Sequence, residues 1–395
     1  MKVLFYCQHV LGLGHFMRSL EIMRALAPDE VVLASGGPPV PVGLPPHVRE
    51  VRLPALEMDP AFTRLSATDG GGLDEVKAAR RETLFRLFDD VRPDVFFVEL
   101  YPFGRKAFEF ELLPVLRAAR EGRFGPVRVV CGLRDILVEK TDREGYEARV
   151  LSRLNASFDL LAIHADPALF PLEATFSRAA DIAVPVRYTG YVAPGVVPAR
   201  DRSPASDARV RQRLSVGPGR RLIVASAGGG RVGGEVLAAV ACALARPEAA
   251  ALGPVSLRVF SGPYAPDEEF AALEAAVAVL PDARVARFDA DFPAVLRAAD
   301  LSVSLAGYNT VMAVLAAGVR ALVRPFDQNR EQRLRASRLE HMGLVGLLEP
   351  DDLEPARLFS RMARLLGGDP PPPAAVRLDG AAESARLLRE AAGRG

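Results

Sequence analysis

The stretch SLAGYNTVMAVLAAGVRALVRPF, residues 304–326, decides the fold class of this chain. It has the pattern of a strand end, a turn, a helix, a glycine stop and a second strand. Gly307 precedes the helix, Asn309 or Thr310 is expected to cap it, and Gly318 is expected to end it. Two strands joined through one helix form a parallel βαβ unit.

The same alternation of short apolar runs and longer helical patterns extends over the rest of the chain. The apolar runs do not alternate with polar residues, as expected for strands that are covered on both faces. We predict strands at 3–7, 31–35, 94–100, 127–133 and 159–165, and again at 221–227, 255–262, 283–289, 300–306 and 320–326. The chain is therefore predicted to be an α/β protein with a parallel sheet in each half.

The length of 395 residues, 42.5 kDa, exceeds what one hydrophobic core usually organises. Around residues 190–205 the pattern breaks into proline, glycine and small polar residues, which suit a connection between domains. We predict one domain over 1–195 and a second over 205–365. A tail over 366–395, with a proline run followed by a helical pattern, is expected to pack back on the first domain.

Composition excludes several classes of function. The 50 Lys and Arg against 49 Asp and Glu give a net charge of +1, which argues against a nucleic-acid partner. Cys7, Cys131 and Cys242 lie far apart and suggest neither a disulfide framework nor a zinc site. Without a signal-like start or an apolar run of roughly 18 residues, the expected location is the cytoplasm, and peripheral membrane contact stays open.

A glycine-containing loop, QHVLGLGHFMR at 8–18, follows the first predicted strand. Gly12 and Gly14 permit close backbone approach, and the start of the next helix favours an anion. The spacing is not the dinucleotide fingerprint, because position 17 is Met, so a nicotinamide enzyme is disfavoured. His15 is a candidate general base, with a helix cap or a ligand contact as alternatives. Arg18 either meets an anionic ligand or forms a surface ion pair.

A second loop of this kind, SAGGGRVGG at 226–234, follows the first strand of the second half. Gly228, Gly229, Gly230 and Arg231 have the composition of a diphosphate site, and a flexible surface loop is the alternative. Polar residues at predicted strand ends of the first half are further ligand candidates, each with a cap or an ion pair as its alternative: Glu99, Arg134, Asp135 and His164.

Over nearly its whole length the chain resembles the GT-B glycosyltransferases, in particular the family 28-like branch of the lipid-linked N-acetylglucosaminyltransferase of peptidoglycan synthesis. GLGHFMR is similar to the acceptor-side loop, VPVRYTGYV to the interdomain crossing, SAGGGRVGG to the donor-phosphate loop, and GYNT with DQNREQ to the donor-sugar region. The resemblance implies two Rossmann-like parallel-sheet domains that face each other across a cleft.

The same resemblance implies roles for individual residues. His15 would be the catalytic base or a ligand contact, with Gly12, Gly14 and Arg18 on the acceptor side. Glu99, Arg134 and Asp135 are also acceptor-side candidates, because they lie at predicted strand ends of the first half. The donor site would comprise Gly228, Gly229, Gly230, Arg231, Phe288, Gly307, Tyr308, Asn309, Thr310, Gln328 and Gln332. The expected donor is a nucleotide sugar, a UDP-sugar first of all, and the acceptor a small or lipid-linked molecule. Neither a metal nor a cofactor is expected.

One departure from the family pattern leaves alternatives open. Ala313 stands where the family's donor helix offers a glutamate to the ribose hydroxyls, which removes an expected hydrogen-bond acceptor. The sequence pattern GLGHFMR is also similar to that of nucleotide-sugar hydrolases with the same fold, so water is an alternative acceptor. A non-catalytic partner that binds a sugar nucleotide is the third reading.

Overall fold

The structure is a computed structural model, and it describes residues 1–9, 14–37, 39–40, 42–58, 65–67, 72–196, 203–328 and 330–393. The chain forms two compact units. The first comprises Met1–Val192 together with Val376–Gly395, and the second comprises Ala193–Ala375.

The first unit alternates strands and helices as the sequence predicts. Its strands are Lys2–Gln8 (β1), Glu30–Gly36 (β2), Val48–Arg52 (β3), Leu56–Met58 (β4), Leu65–Ala67 (β5), Val95–Glu99 (β6), Arg128–Arg134 (β7), Leu160–His164 (β8) and Val186–Tyr188 (β9). The helices that connect them are Gly14–Ala25 (α1), Leu73–Val91 (α2), Glu109–Arg120 (α3) and Arg143–Ser157 (α4). Buried apolar residues of β1, β2, β6 and α1 form its core.

The main sheet of this unit is parallel, with strand order β3-β2-β1-β6-β7-β8-β9. The five strands predicted in this half are confirmed. The edge strands β3 and β9 were missed because β3 reads VREVR and β9 has three residues in a proline-containing segment, whereas central strands carry long apolar runs. Consequently, part of the segment predicted as an interdomain crossing is a strand of the first sheet.

The second unit repeats this organisation. Its strands are Arg221–Ser226 (β10), Val255–Phe260 (β11), Ala283–Ala286 (β12), Leu301–Leu305 (β13), Arg320–Arg324 (β14) and Gly346–Leu347 (β15). Its helices are Pro204–Arg213 (α5), Gly234–Leu244 (α6), Asp267–Val277 (α7), Phe292–Ala298 (α8), Tyr308–Ala317 (α9), Arg330–His341 (α10) and Pro355–Gly367 (α11). The parallel sheet has the order β12-β11-β10-β13-β14-β15, which confirms the five strands predicted in this half.

The helix at the centre of the deciding stretch, α9, begins and ends at glycines. Gly318 ends it in the left-handed conformation, with φ 68°, as predicted. The predicted cap by Asn309 or Thr310 is wrong, because Gly307 occupies the N-cap position and both residues lie inside the first turn. No side chain therefore caps α9 from its N-cap position.

The C-terminal segment belongs to the first unit. It forms the helix Gly380–Ala391 (α12), which packs against α1. The Nε of Arg389 donates to Asp29 at 2.8 Å, and Asp29 also accepts from the amino terminus of Met1 at 2.7 Å. None of the helices in the described ranges combines the length and apolarity needed to cross a bilayer.

Candidate active site

The strand order of the first sheet reverses between β1 and β6, and this position is its topological switch point. From β1 the chain moves outward to β2 on one side and later returns to β6 on the other. Ligands of open α/β sheets bind outside the carboxyl ends of the strands at such a point. Glu99 is the last residue of β6, and His15 is the second residue of α1, the helix that follows β1 along the chain, so both lie at the predicted kind of site.

His15, Arg18 and Glu99, called here the histidine cluster, contact one another. The Nδ1 of His15 lies 3.0 Å from Oε1 of Glu99, and the guanidinium of Arg18 donates to the same oxygen. The side chains of Arg18 and Glu99 are only 2% and 1% exposed, whereas that of His15 is 21% exposed. The ion pair of Arg18 is thus buried, not at the surface as one sequence-based alternative held.

The geometry favours one tautomer of His15. A carboxylate oxygen only accepts, so Nδ1 must carry the proton for its 3.0 Å contact with Glu99 to be a hydrogen bond. The Nη2 of Arg18 also lies 3.0 Å from Nδ1, but a guanidinium bonded to Glu99 does not require that nitrogen as an acceptor. With the proton on Nδ1, Nε2 keeps its lone pair and is the atom able to accept a proton.

The charges of the cluster set its protonation. Burial alone would raise the pKa of Glu99, but the charge of Arg18 and the hydrogen bond from His15 outweigh it and lower the pKa to about 2. Burial, and then the positive charge of Arg105, lower the pKa of His15 to about 3 against the opposing effect of Glu99. Near neutral pH the pair therefore consists of a carboxylate and a neutral imidazole.

The other acceptor-side candidates are spread along the same edge of the sheet. Gly14 is the first residue of α1, and Gly12 lies outside the described residues. Arg134 ends β7 and pairs in register with His164, which ends β8. Asp135, which follows Arg134, is 1% exposed.

The second sheet has its own change of direction between β10 and β13. The loop after β10 contains the predicted diphosphate residues, and the loop after β13 leads through Gly307 into α9. These loops meet, since a Cβ built on Gly228 would lie 3.7 Å from Oγ1 of Thr310. Two of the predicted donor motifs, about 80 residues apart in sequence, are thus adjacent.

The loop after β10 packs tightly against the loop after β11. Gly228 and Gly230 have φ of 64° and 87°, values that L side chains rarely adopt. A Cβ on Gly230 would lie 2.5 Å from the carbonyl oxygen of Ser261, whereas one on Gly229 would meet nothing within 4 Å. The amide of Tyr264 also donates to the carbonyl of Gly229 at 3.1 Å. The loop is therefore held by its neighbour after β11, which argues against the flexible-loop alternative.

Tyr264 is a component of this site that the sequence did not single out. Arg231 lies over its ring, with 5.6 Å between Cζ and the ring centroid, and its hydroxyl is buried with no hydrogen-bond partner. The Gly262-Pro263 pair directly after a strand was the signal that could have drawn attention to it. Arg231 itself is exposed, so its charge remains accessible to an anion.

The remaining donor-side candidates differ in their exposure and in their contacts within the protein. Gln332 accepts at its Oε1 from the amide of Phe326 at 3.0 Å, so that oxygen is engaged within the protein. Gln328 is exposed, and Phe288 is partly buried just beyond β12. Tyr308 and Ala313 are 8% and 3% exposed on α9. Within the described ranges no three His, Cys, Asp or Glu side chains converge as metal ligands would.

Comparisons with known proteins agree with this architecture. Residues 231–374 match the family model described as Glycosyltransferase family 28 C-terminal domain. No curated protein is significantly similar to the chain in sequence.

Three solved structures illustrate the likeness in fold. MurG of Acinetobacter baumannii is 16% identical, with 98% of this chain and 94% of that chain covered and a TM-score of 0.52. UGT2 of Phytolacca americana, complexed with UDP-2fluoro-glucose and pterostilbene, is 14% identical, with coverages of 98% and 94% and a TM-score of 0.58. A glycosyltransferase from Rickettsia africae is 10% identical, with coverages of 99% and 93% and a TM-score of 0.57.

The two parallel-sheet units and the matched domain together define the class: the chain is a glycosyltransferase of the GT-B fold. Within that class, its residues 231–374 are of the family 28 C-terminal type, in agreement with the branch that the sequence resembles.

Proposed function

We propose that this glycosyltransferase moves a sugar from a nucleotide-diphosphate donor to a hydroxyl group of an acceptor, with His15 as general base. The donor is bound by the second unit, and a UDP-sugar is the first candidate. The acceptor, a small or lipid-linked molecule, is bound by the first unit beside His15. The observation that carries the proposal is the contact between His15 and the buried carboxylate of Glu99 at the switch point of the first sheet.

The chemistry follows from the protonation of the cluster. Nε2 of His15 takes the proton of the acceptor hydroxyl while its oxygen bonds to the anomeric carbon of the sugar. The bond from that carbon to the phosphate oxygen breaks, and the nucleoside diphosphate leaves with the electron pair. Glu99 stabilises the imidazolium that forms, because it accepts the hydrogen bond from Nδ1.

Features of the second unit support the assignment of the donor. The glycine loop after β10 exposes backbone at Gly228 and a guanidinium at Arg231, and the uncapped start of α9 lies beside it. Such groups stabilise the charge that develops on a leaving diphosphate. We propose that no metal ion is needed for this step.

The first test is a thermal-shift screen of the purified protein with UDP, GDP, dTDP and ADP and their sugars, because a ligand of the folded state raises its apparent stability. The nucleotide that stabilises the protein is then used to measure nucleoside diphosphate release with and without acceptors. Release only with an acceptor supports transfer. Release at the same rate without one would make the protein a hydrolase, and stabilisation without release would make it a binding protein.

The role of His15 is tested with His15→Gln, and His341→Gln is the control because His341 is exposed on α10. Loss of the base should lower the rate of sugar transfer by roughly 10²–10⁴-fold and leave the thermal stabilisation of the protein by nucleotide unchanged. A His15→Gln variant that keeps the wild-type rate would refute the assignment of the base.

A further inference from the structure

Arg105 is a charged group of the first unit that the proposed reaction does not use. It follows β6 by six residues and adopts the left-handed conformation, with φ 59°, directly before the turn that leads into α3. Its side chain is partly buried, and its Nε is fully buried with no hydrogen-bond partner. Among the described residues, no acceptor forms a hydrogen bond or ion pair with its guanidinium.

The surroundings of Arg105 supply too little negative charge for it. Glu99, the carboxylate of the histidine cluster, already accepts from Arg18 and His15. Arg105 is thus a second guanidinium beside one carboxylate, and the charge of Arg134 acts on it as well. A buried cation that lacks acceptors is costly, whereas a guanidinium offers five N–H donors suited to a carboxylate or a phosphate.

We infer that Arg105 binds an anionic group, a carboxylate or a phosphate, carried by the acceptor whose hydroxyl faces His15. This inference rests on the proposed function and narrows the acceptor to an anionic molecule. The position fits, because β1 and β6 are neighbouring strands, and His15 at the start of α1 and Arg105 in the loop after β6 each follow one of them. The charge of Arg105 also acts on His15.

The anion would also change the base. The charges that face His15 are Arg105, Arg18 and Glu99, and the positive charge of Arg105 is one cause of its lowered pKa. An anion on Arg105 would offset that charge and so raise the pKa of His15. A bound acceptor of this kind would therefore strengthen the base that deprotonates it.

The experiment titrates the full chain with inorganic phosphate and, separately, with acetate. The ring signals of His15 are followed by NMR and assigned with His15→Gln. Wild-type protein should show saturable shifts, and Arg105→Met should bind the same anion at least about tenfold more weakly. Arg105→Lys should recover part of the affinity, because it keeps the positive charge but lacks the planar set of N–H donors of a guanidinium. Arg187→Met is the matched control, since Arg187 is an exposed arginine of the same unit.

Each outcome decides between the alternatives. Binding of phosphate alone supports a phosphorylated acceptor, and binding of acetate supports a carboxylate. No saturable shift with either anion, or equal affinities in wild type and Arg105→Met with both proteins folded by circular dichroism, would overturn the inference. The nucleotide screen reports on the second unit, so failure of the proposed function is recorded separately from failure of this anion site.

Discussion

Replacing Glu99 by glutamine tests the histidine cluster most directly. The variant keeps the size of the side chain but leaves the buried guanidinium of Arg18 without its carboxylate. The pKa of Glu99 is lowered from an ordinary 4.5 to about 2, and at about 1.4 kcal/mol per pH unit this corresponds to about 3 kcal/mol. Breaking a buried ion pair from one side costs a similar amount, about 3–5 kcal/mol. We therefore expect Glu99→Gln to destabilise the first unit by about 3 kcal/mol at pH 7.

The pH dependence has a defined sign. Because the pKa of Glu99 is lowered by folding, its ionisation stabilises the folded state above about pH 4.5, and this stabilisation is lost as the pH falls towards about 2. The difference in unfolding free energy between wild type and Glu99→Gln should therefore shrink over that range. The same substitution removes the partner that raises the pKa of His15, so sugar transfer should also slow.

Urea unfolding followed by tyrosine fluorescence measures this effect. The chain has no tryptophan, and five of its seven tyrosines lie in the first unit: Tyr6, Tyr101, Tyr146, Tyr188 and Tyr191. Glu173→Gln is the control, because Glu173 is exposed in the same unit and its replacement should change stability by at most about 0.5 kcal/mol. Equal urea midpoints for wild type and Glu99→Gln at pH 7 would refute the ionised, buried pair and with it the argument for the base.

Three further predictions follow from other parts of the structure. Arg80→Met should lower the unfolding free energy of the first unit by about 3–5 kcal/mol, as measured in urea, because it leaves the fully buried Glu111 without its cation. Adding Glu111→Leu should recover part of this loss, and a double variant less stable than Arg80→Met would contradict the reasoning. Gly230→Ala should lower the melting temperature and weaken nucleotide binding, because the φ of Gly230 is 87° and a Cβ there would clash with the loop after β11. The control Gly229→Ala should melt like wild type, and equal melting temperatures of the two variants would argue against tight packing of the two loops. After treatment with EDTA and desalting, the rate of sugar transfer should stay within about twofold of the rate of the untreated protein. If the rate falls and is restored by Mg²⁺ or Mn²⁺, transfer needs a metal ion.

The sequence alone determined the α/β class and most of the central strands. Apolar runs such as those of β1 and β6 are long because both faces of a central parallel strand are buried, so their signal is strong. The glycine loops were recognisable for a similar reason, since backbone at Gly228 and Gly230 with positive φ favours glycine. The edge strands β3, β9 and β15 were missed, because they are short or polar and carry no such signal, whereas the edge strand β12 was predicted.

What only the tertiary structure decided is which polar residues act together. Glu99 lies 84 residues from His15, and no local pattern links them until β1 and β6 pair side by side and bring their carboxyl ends together. Gln332 looked available in sequence, yet its amide oxygen is bonded to the backbone of Phe326. Arg105 drew no attention in sequence, because an unpaired buried charge is recognised only when every neighbour is known. Periodicity fixes elements, whereas partners and burial depend on contacts that only the folded chain creates.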